Sequence, residues 1–180
     1  MNQTPQTEPL TDAFVAVGSN INPRENIPRA LTMLNVRLPI IAVSNFYMTA
    51  AVGVAGQPDF FNGVVKIKTV LRPRGIKFDI LRKIEEELGR VRTADKFAAR
   101  TIDLDLILCG NLVVDEPWLA LPDQSIRSYS FVAVPLLELA PDLLLPDTGA
   151  PLSGEPVIRR ASELQFLPEF TDYLRRLIFG

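Results

Sequence analysis

Histidine is missing from all 180 residues, and cysteine occurs once. Without an imidazole, a Ser-His-Asp triad, a Cys-His nucleophile pair and a His-ligated zinc are excluded. The lone Cys109 cannot close an intramolecular disulfide, and at the end of an apolar run it reads as a small core residue rather than a nucleophile. Every apolar run falls far short of the roughly 20 residues that a membrane helix needs. A net charge of -2 and a pI near 5.3 argue against a broad electrostatic footprint for nucleic acid or anionic membrane. The opening MNQTPQTEPL has neither the basic nor the apolar region of a signal peptide, so the cytoplasm is the expected compartment.

What is present is 47% hydrophobic and 22% charged, enough for one domain with an ordinary core. Residues 1–11 read as a disordered tail and 12–180 as a single domain. AFVAV (13–17), IIAVSNFYM (40–48), FFNGVVKIKTV (60–70) and TIDLDLILC (101–109) have the β-branched and aromatic content of strands. Between the first two lies a helix with Pro23 in its first turn, its regular part expected to begin near Asn26 because of Pro28. A second helix runs from Pro73, with Ile76, Ile80, Leu81, Ile84 and Leu88 on one face and Gly89 as its C-terminal cap. The order βαββαβ predicts an α+β, ferredoxin-like core, an antiparallel sheet with both helices on one face. Residues 131–139 and FTDYLRRLIF in the C-terminal extension are expected as further helices.

The chemistry concentrates in the fourth strand. Aspartate is a poor strand former, yet Asp103 and Asp105 stand two apart in one. Strand alternation puts Ile102, Leu104, Leu106 and Leu108 on one face and both carboxylates on the other, their Cα atoms about 6 to 7 Å apart. Such a pair suits a hard cation, Mg²⁺, that takes one or two carboxylates and completes its shell with water and phosphate oxygens. A bare D-x-D is equally well a solvated strand face. The preceding connection adds Arg90, Arg92, Lys96 and Arg100, and cations beside metal-binding carboxylates are what phosphoryl transfer requires.

VGSN (17–20), GQPDFFN (56–62), IE with GRVR (84–92), RTIDLDLIL (100–108) and FVAVPLLELAPDLLLPD (131–147) together resemble the 6-hydroxymethyl-7,8-dihydropterin pyrophosphokinase family, folate-pathway enzymes that transfer pyrophosphate from ATP. The resemblance implies ATP and a dihydropterin as partners, without nucleic acid or membrane, and a monomer is expected. It implies two Mg²⁺ ions held by Asp103 and Asp105, and catalytic roles for Arg90, Arg92 and Arg100, with Arg92 and Arg100 also binding nucleotide. Thr49, Val52, Phe60, Asn62, Phe97 and Phe131 match the pterin side, with Asn62 hydrogen bonding the heterocycle and Phe131 stacking on it.

The departures are concentrated. Phe97-Ala98-Ala99 stands in the loop before Arg100 where the family has Trp-Gly-Pro, and on the nucleotide side Asp123 stands where it has histidine and Tyr129 where it has arginine. Arg127, two positions earlier, would point the same way as Tyr129 in an extended segment and replace part of the lost nucleotide contact. The leading expectation is an active pyrophosphokinase with an altered ATP side. The alternatives are a pterin-binding member with lost or changed transfer activity, and an RNA-binding ferredoxin-like module.

Overall fold

The apolar run expected as the first strand is the spine of the sheet. In the computed structural model, which describes residues 10–51, 56–91 and 98–180, strand β1 (Thr11–Ser19) lies between β4 (Phe60–Thr69) and β5 (Asp103–Cys109), antiparallel to both. Being covered on two faces, it carries an unbroken apolar run rather than a polar alternation. Ala13, Val15 and Val17 join one core cluster and Phe14 the other. Beyond β4 come β2 (Ile40–Val43) and β3 (Tyr47–Thr49), and β8 (Gln165–Phe166) extends β3. This is the expected ferredoxin-like order, with the fourth core strand and the second at opposite sides of the first and third.

One face carries α1 (Pro23–Arg37) and a continuous helical stretch made of α2 (Pro73–Gly75), a π-helical segment Ile76–Leu81 and α3 (Arg82–Glu87). Helix α1 begins at Pro23, not near Asn26. Asn22 enters it in the left-handed region, a conformation asparagine tolerates, and Pro28 removes only its own N–H from the ladder. The π segment inserts a residue between turns, so Ile76 and Leu81 are buried while Ile80 is half-buried. Gly89 follows with φ +74, the left-handed cap position expected of it.

The expected second strand is two strands. Between β2 and β3 the chain breaks at Ser44–Phe46, where the Phe46 ring is fully buried against Gly63; a Cβ there would lie 2.6 Å from the ring. The C-terminal extension satisfies this break. Thr171 of α6 (Pro168–Phe179) accepts the Phe46 N–H at 2.9 Å, Leu167 donates to the Phe46 carbonyl, and Arg175 donates to Val43 O and Asn45 Oδ1.

The opposite face is covered by α5 (Ser130–Leu139), preceded by α4 (Ser125–Ser128) after the hairpin β6 (Val114–Glu116) and β7 (Leu119–Leu121). The segment Leu152–Glu163 closes over α5 through Leu152 and Val157. Strict alternation in β5 holds only to Leu106. Ile107 is an extra residue opposite the Phe14/Val15 step of β1, and this bulge moves Leu108 to the α5 side, correcting its expected placement. Cys109 is buried in the core as expected, and burial pushes its thiol pKa up.

Candidate active site

The register puts Asp103 of β5, Gly18 of β1 and Asn62 of β4 in one cross-strand row, with Asp105, Ala16 and Val64 in the next. The two middle positions on β1 carry almost no side chain, so the sheet has a hollow between the carboxylates and the asparagine. At Gly18 a Cβ would come within 3.0 Å of Asn62 Oδ1, which accounts for the glycine of VGSN. Helix α5 covers the rest of this face but stops short of the hollow. Its N-terminus and α4 stand over it instead, contributing Ser125, Tyr129, Phe131 and Val132 to the rim of a 220 Å³ cavity.

Seven of the expected site residues line this one space: Thr49, Phe60, Asn62 and Phe131 on one side, Arg100, Asp103 and Asp105 on the other. Asn62 is buried, and its Nδ2 donates to Thr49 Oγ1 at 2.8 Å, which fixes the amide plane from the adjacent strand. Phe61, pointing to the other face, packs edge-on with Phe170 as a core residue. Arg90 is not in the cavity wall but reaches it through Asp103. Val52, Arg92 and Phe97 lie outside the described residues.

Charge is distributed unevenly between the two aspartates. Asp103 is clasped by both Arg90 and Arg100, and Arg90 also pairs with Glu85, which is 2% exposed and accepts the Leu104 N–H at 2.9 Å. Glu85 therefore ties the end of α3 to the peptide between the two aspartates, a function the sequence reading did not assign to it. Asp105 has no ion-pair partner among the described residues. The protein crowding the cavity floor, and then the negative charges of Asp103, Glu85 and Asp123, push its carboxyl up to about 7 against the pull of Arg90. Its side chain is nevertheless open to the cavity, so water blunts that effect.

Asn20 supplies a second support that the sequence reading left unassigned. Its Oδ1 accepts the Arg100 N–H at 2.7 Å and its Nδ2 donates to Pro58 O at 3.3 Å, while Ser19 Oγ donates to Thr101 O at 2.6 Å. VGSN thus latches the two connections that lead into the Asn62 and Asp103 strands. The signal for it was the motif alone.

Arg127 is a correction. The segment before Tyr129 is helical, not extended, so residues two apart do not point alike. Arg127 turns away to Asp147 at 2.9 Å and Glu155 at 3.3 Å, and it does not line the cavity. Asp123 is held locally: its N–H donates to Ile107 O at the β5 bulge and its Oδ1 accepts the Ser125 N–H at 2.8 Å.

No three His, Cys, Asp or Glu side chains among the described residues gather as a closed metal cage. An open carboxylate pair with an excess of negative charge at Asp105 fits a hard cation that brings its remaining ligands with it.

Fold and site together define the class: a ferredoxin-like α+β protein whose sheet hollow joins an amide-and-aromatic wall to a corner of arginines and aspartates suited to phosphate groups. The chain belongs to the 7,8-dihydro-6-hydroxymethylpterin-pyrophosphokinase family, whose sequence model matches residues 14–141. It is 44% identical over 138 residues to a 2-amino-4-hydroxy-6-hydroxymethyldihydropteridine pyrophosphokinase of Pseudomonas aeruginosa, covering 74% of this chain and 83% of that one. A Haemophilus influenzae protein of the same name is 39% identical over 142 residues, covering 77% and 88%. Among solved structures, a triple mutant of Plasmodium falciparum HPPK-DHPS with pteroate superposes with a TM-score of 0.65 at 13% identity, a likeness of fold. That match covers 86% of this chain and 42% of the Plasmodium chain. The face on which an RNA-binding ferredoxin-like module presents its aromatics is here largely covered by α5.

Proposed function

We propose that this protein transfers a pyrophosphoryl group from ATP to the hydroxymethyl oxygen of 6-hydroxymethyl-7,8-dihydropterin, releasing AMP, as a Mg²⁺-dependent enzyme of folate biosynthesis. Carrying this reading is the single cavity that joins Thr49, Phe60, Asn62 and Phe131 to Arg100, Asp103 and Asp105. A flat polar heterocycle needs aromatic faces and a few fixed hydrogen-bonding groups, which the first four supply. Asp103 and Asp105 would hold Mg²⁺, which when bound neutralises phosphate charge and orients the triphosphate.

The chain's own residues do the rest. Phe60 and Phe131 bound the heterocycle, and Asn62, oriented by Thr49, selects its polar edge. Arg100 and Arg90 bring positive charge to the corner where the transferred group passes between oxygens, with charge developing on both sides. Since both arginines are paired with Asp103 in the free protein, phosphate must share or replace those bonds, which makes nucleotide binding sensitive to ionic strength. Purified protein with Mg²⁺, ATP and the dihydropterin should form AMP, and omission of either the dihydropterin or the cation should abolish it. ATP hydrolysis to ADP, or no turnover with the cation present, would refute the proposal. With Arg127 paired to Asp147 and Glu155 instead of replacing the arginine that the resemblance leads one to expect, the enzyme is active with weakened ATP affinity.

A further inference from the structure

We infer that Tyr129 is a positioning residue for the heterocycle: stacked on Phe131, it braces the aromatic wall of the cavity from a position where the family resemblance leads one to expect a nucleotide-binding arginine. The inference rests on the proposed function, since it assigns Phe131 to the heterocycle side. Tyr129 and Phe131 have ring centroids 4.9 Å apart and planes inclined by 17°, and both rings line the cavity. A parallel stack of this kind holds a ring in a plane that a solvent-facing phenylalanine would otherwise sample freely.

The backbone makes Tyr129 a firm support. Its N–H donates to Ser125 O at 2.9 Å, closing α4, and its carbonyl accepts the N–H groups of Val132 at 3.1 Å and Ala133 at 3.0 Å, opening α5. Its own φ of -130° and ψ of 122° are extended, as a residue capping a helix from outside requires. Phe131 follows in the first turn of α5 and is half-buried, whereas Tyr129 is 40% exposed. The two stacked residues both border the cavity, and Tyr129 is anchored at both ends by main-chain bonds.

The test compares Tyr129→Ala, Tyr129→Leu and Tyr129→Phe with wild type. Calorimetry gives the dihydropterin Kd in saturating Mg²⁺ and a non-hydrolysable ATP analogue, and the Kd of the analogue alone. Tyr129→Ala should weaken dihydropterin binding about fivefold to tenfold, the scale of one aromatic stack, and change the analogue's Kd by less than about twofold. Tyr129→Leu, with bulk but no ring plane, should behave like the alanine variant and guards against its misfolding, while Tyr129→Phe should recover most of the loss. Dihydropterin binding within about twofold of wild type in both ringless variants would overturn the inference. So would tighter binding, which would mean that the tyrosine ring occupies the heterocycle's place, or a phenylalanine variant as impaired as alanine. If wild type itself neither bound the dihydropterin nor formed AMP, the functional reading would fail first, a result distinct from silence of the Tyr129 variants.

Discussion

Two arginine–carboxylate networks hold different parts of the fold, and they do different work. Arg90, Arg100, Glu85 and Asp103 meet at the edge of the cavity, with Glu85 2% exposed and its side chain built into the strand through the Leu104 N–H. Arg127 of α4 meets Asp147 and Glu155 of the chain that follows α5, where the Arg127 and Asp147 side chains are 27% and 30% exposed. Both contain the same chemistry. The first borders the cavity, where Asp105 has no ion-pair partner among the described residues, whereas the second does not line it. An arginine count in the sequence does not distinguish a binding corner from a surface clamp; the local backbone that carries each arginine does, a helical turn for Arg127 and the non-helical chain beside β5 for Arg90 and Arg100.

The sharpest way to break this contrast is Glu85→Ala. It would leave the Leu104 N–H without its acceptor and the largely buried Arg90 with Asp103 but not Glu85 as a carboxylate partner, and should cost about 2 to 4 kcal/mol in urea denaturation. A loss under about 1 kcal/mol would make the buried network no different from the surface one. Arg100→Ala should lower turnover by about a hundredfold while weakening dihydropterin binding only a few-fold, if its contact strengthens as charge shifts in transfer. Equal effects on both would place it in plain substrate binding.

A pH series sharpens the role of Asp105. Its carboxyl, ordinarily titrating near 3.8, is pushed up to about 7 in the folded protein. The folded state therefore holds more protons than the unfolded state between those values, and the wild-type protein without ligands loses stability as pH rises through that window. Asp105→Asn removes the penalty, so its stability advantage over wild type should be larger at pH 8 than at pH 5. Screening through the open cavity limits the difference to about 1 kcal/mol. An advantage independent of pH would contradict the assigned crowding. The smallest effect is expected for Arg127→Ala: a loss of at most about 1 kcal/mol, shrinking at high ionic strength, with ATP affinity unchanged. Weakened ATP binding would return Arg127 to the site.

The elements that the sequence made legible are those with a strong periodic or covalent signal. The four-strand order, the Pro73 helix start and the Gly89 cap all follow from local rules, and the D-x-D pair, Thr49, Phe60, Asn62 and Phe131 do share one cavity. What stayed hidden depends on partners distant in sequence. The break at Phe46 is stabilised by Thr171, 125 residues away, so FYM reads as uninterrupted strand until the tail is in place. The Ile107 bulge is set by how β5 meets β1, and no pattern within β5 announces it. Arg127 was misdirected because SIRS forms a helical turn that four residues do not signal.

The central claim is that Asp105 faces the transferred phosphates from within a composite site. The most direct test is the rate of AMP formation by Asp105→Asn at saturating Mg²⁺, ATP and dihydropterin, alongside a melting curve showing that the variant is folded. The account predicts a loss of about a hundredfold or more, the scale of removing a principal charge from a phosphoryl-transfer site, in a protein at least as stable as wild type. Turnover within about threefold of wild type would contradict it.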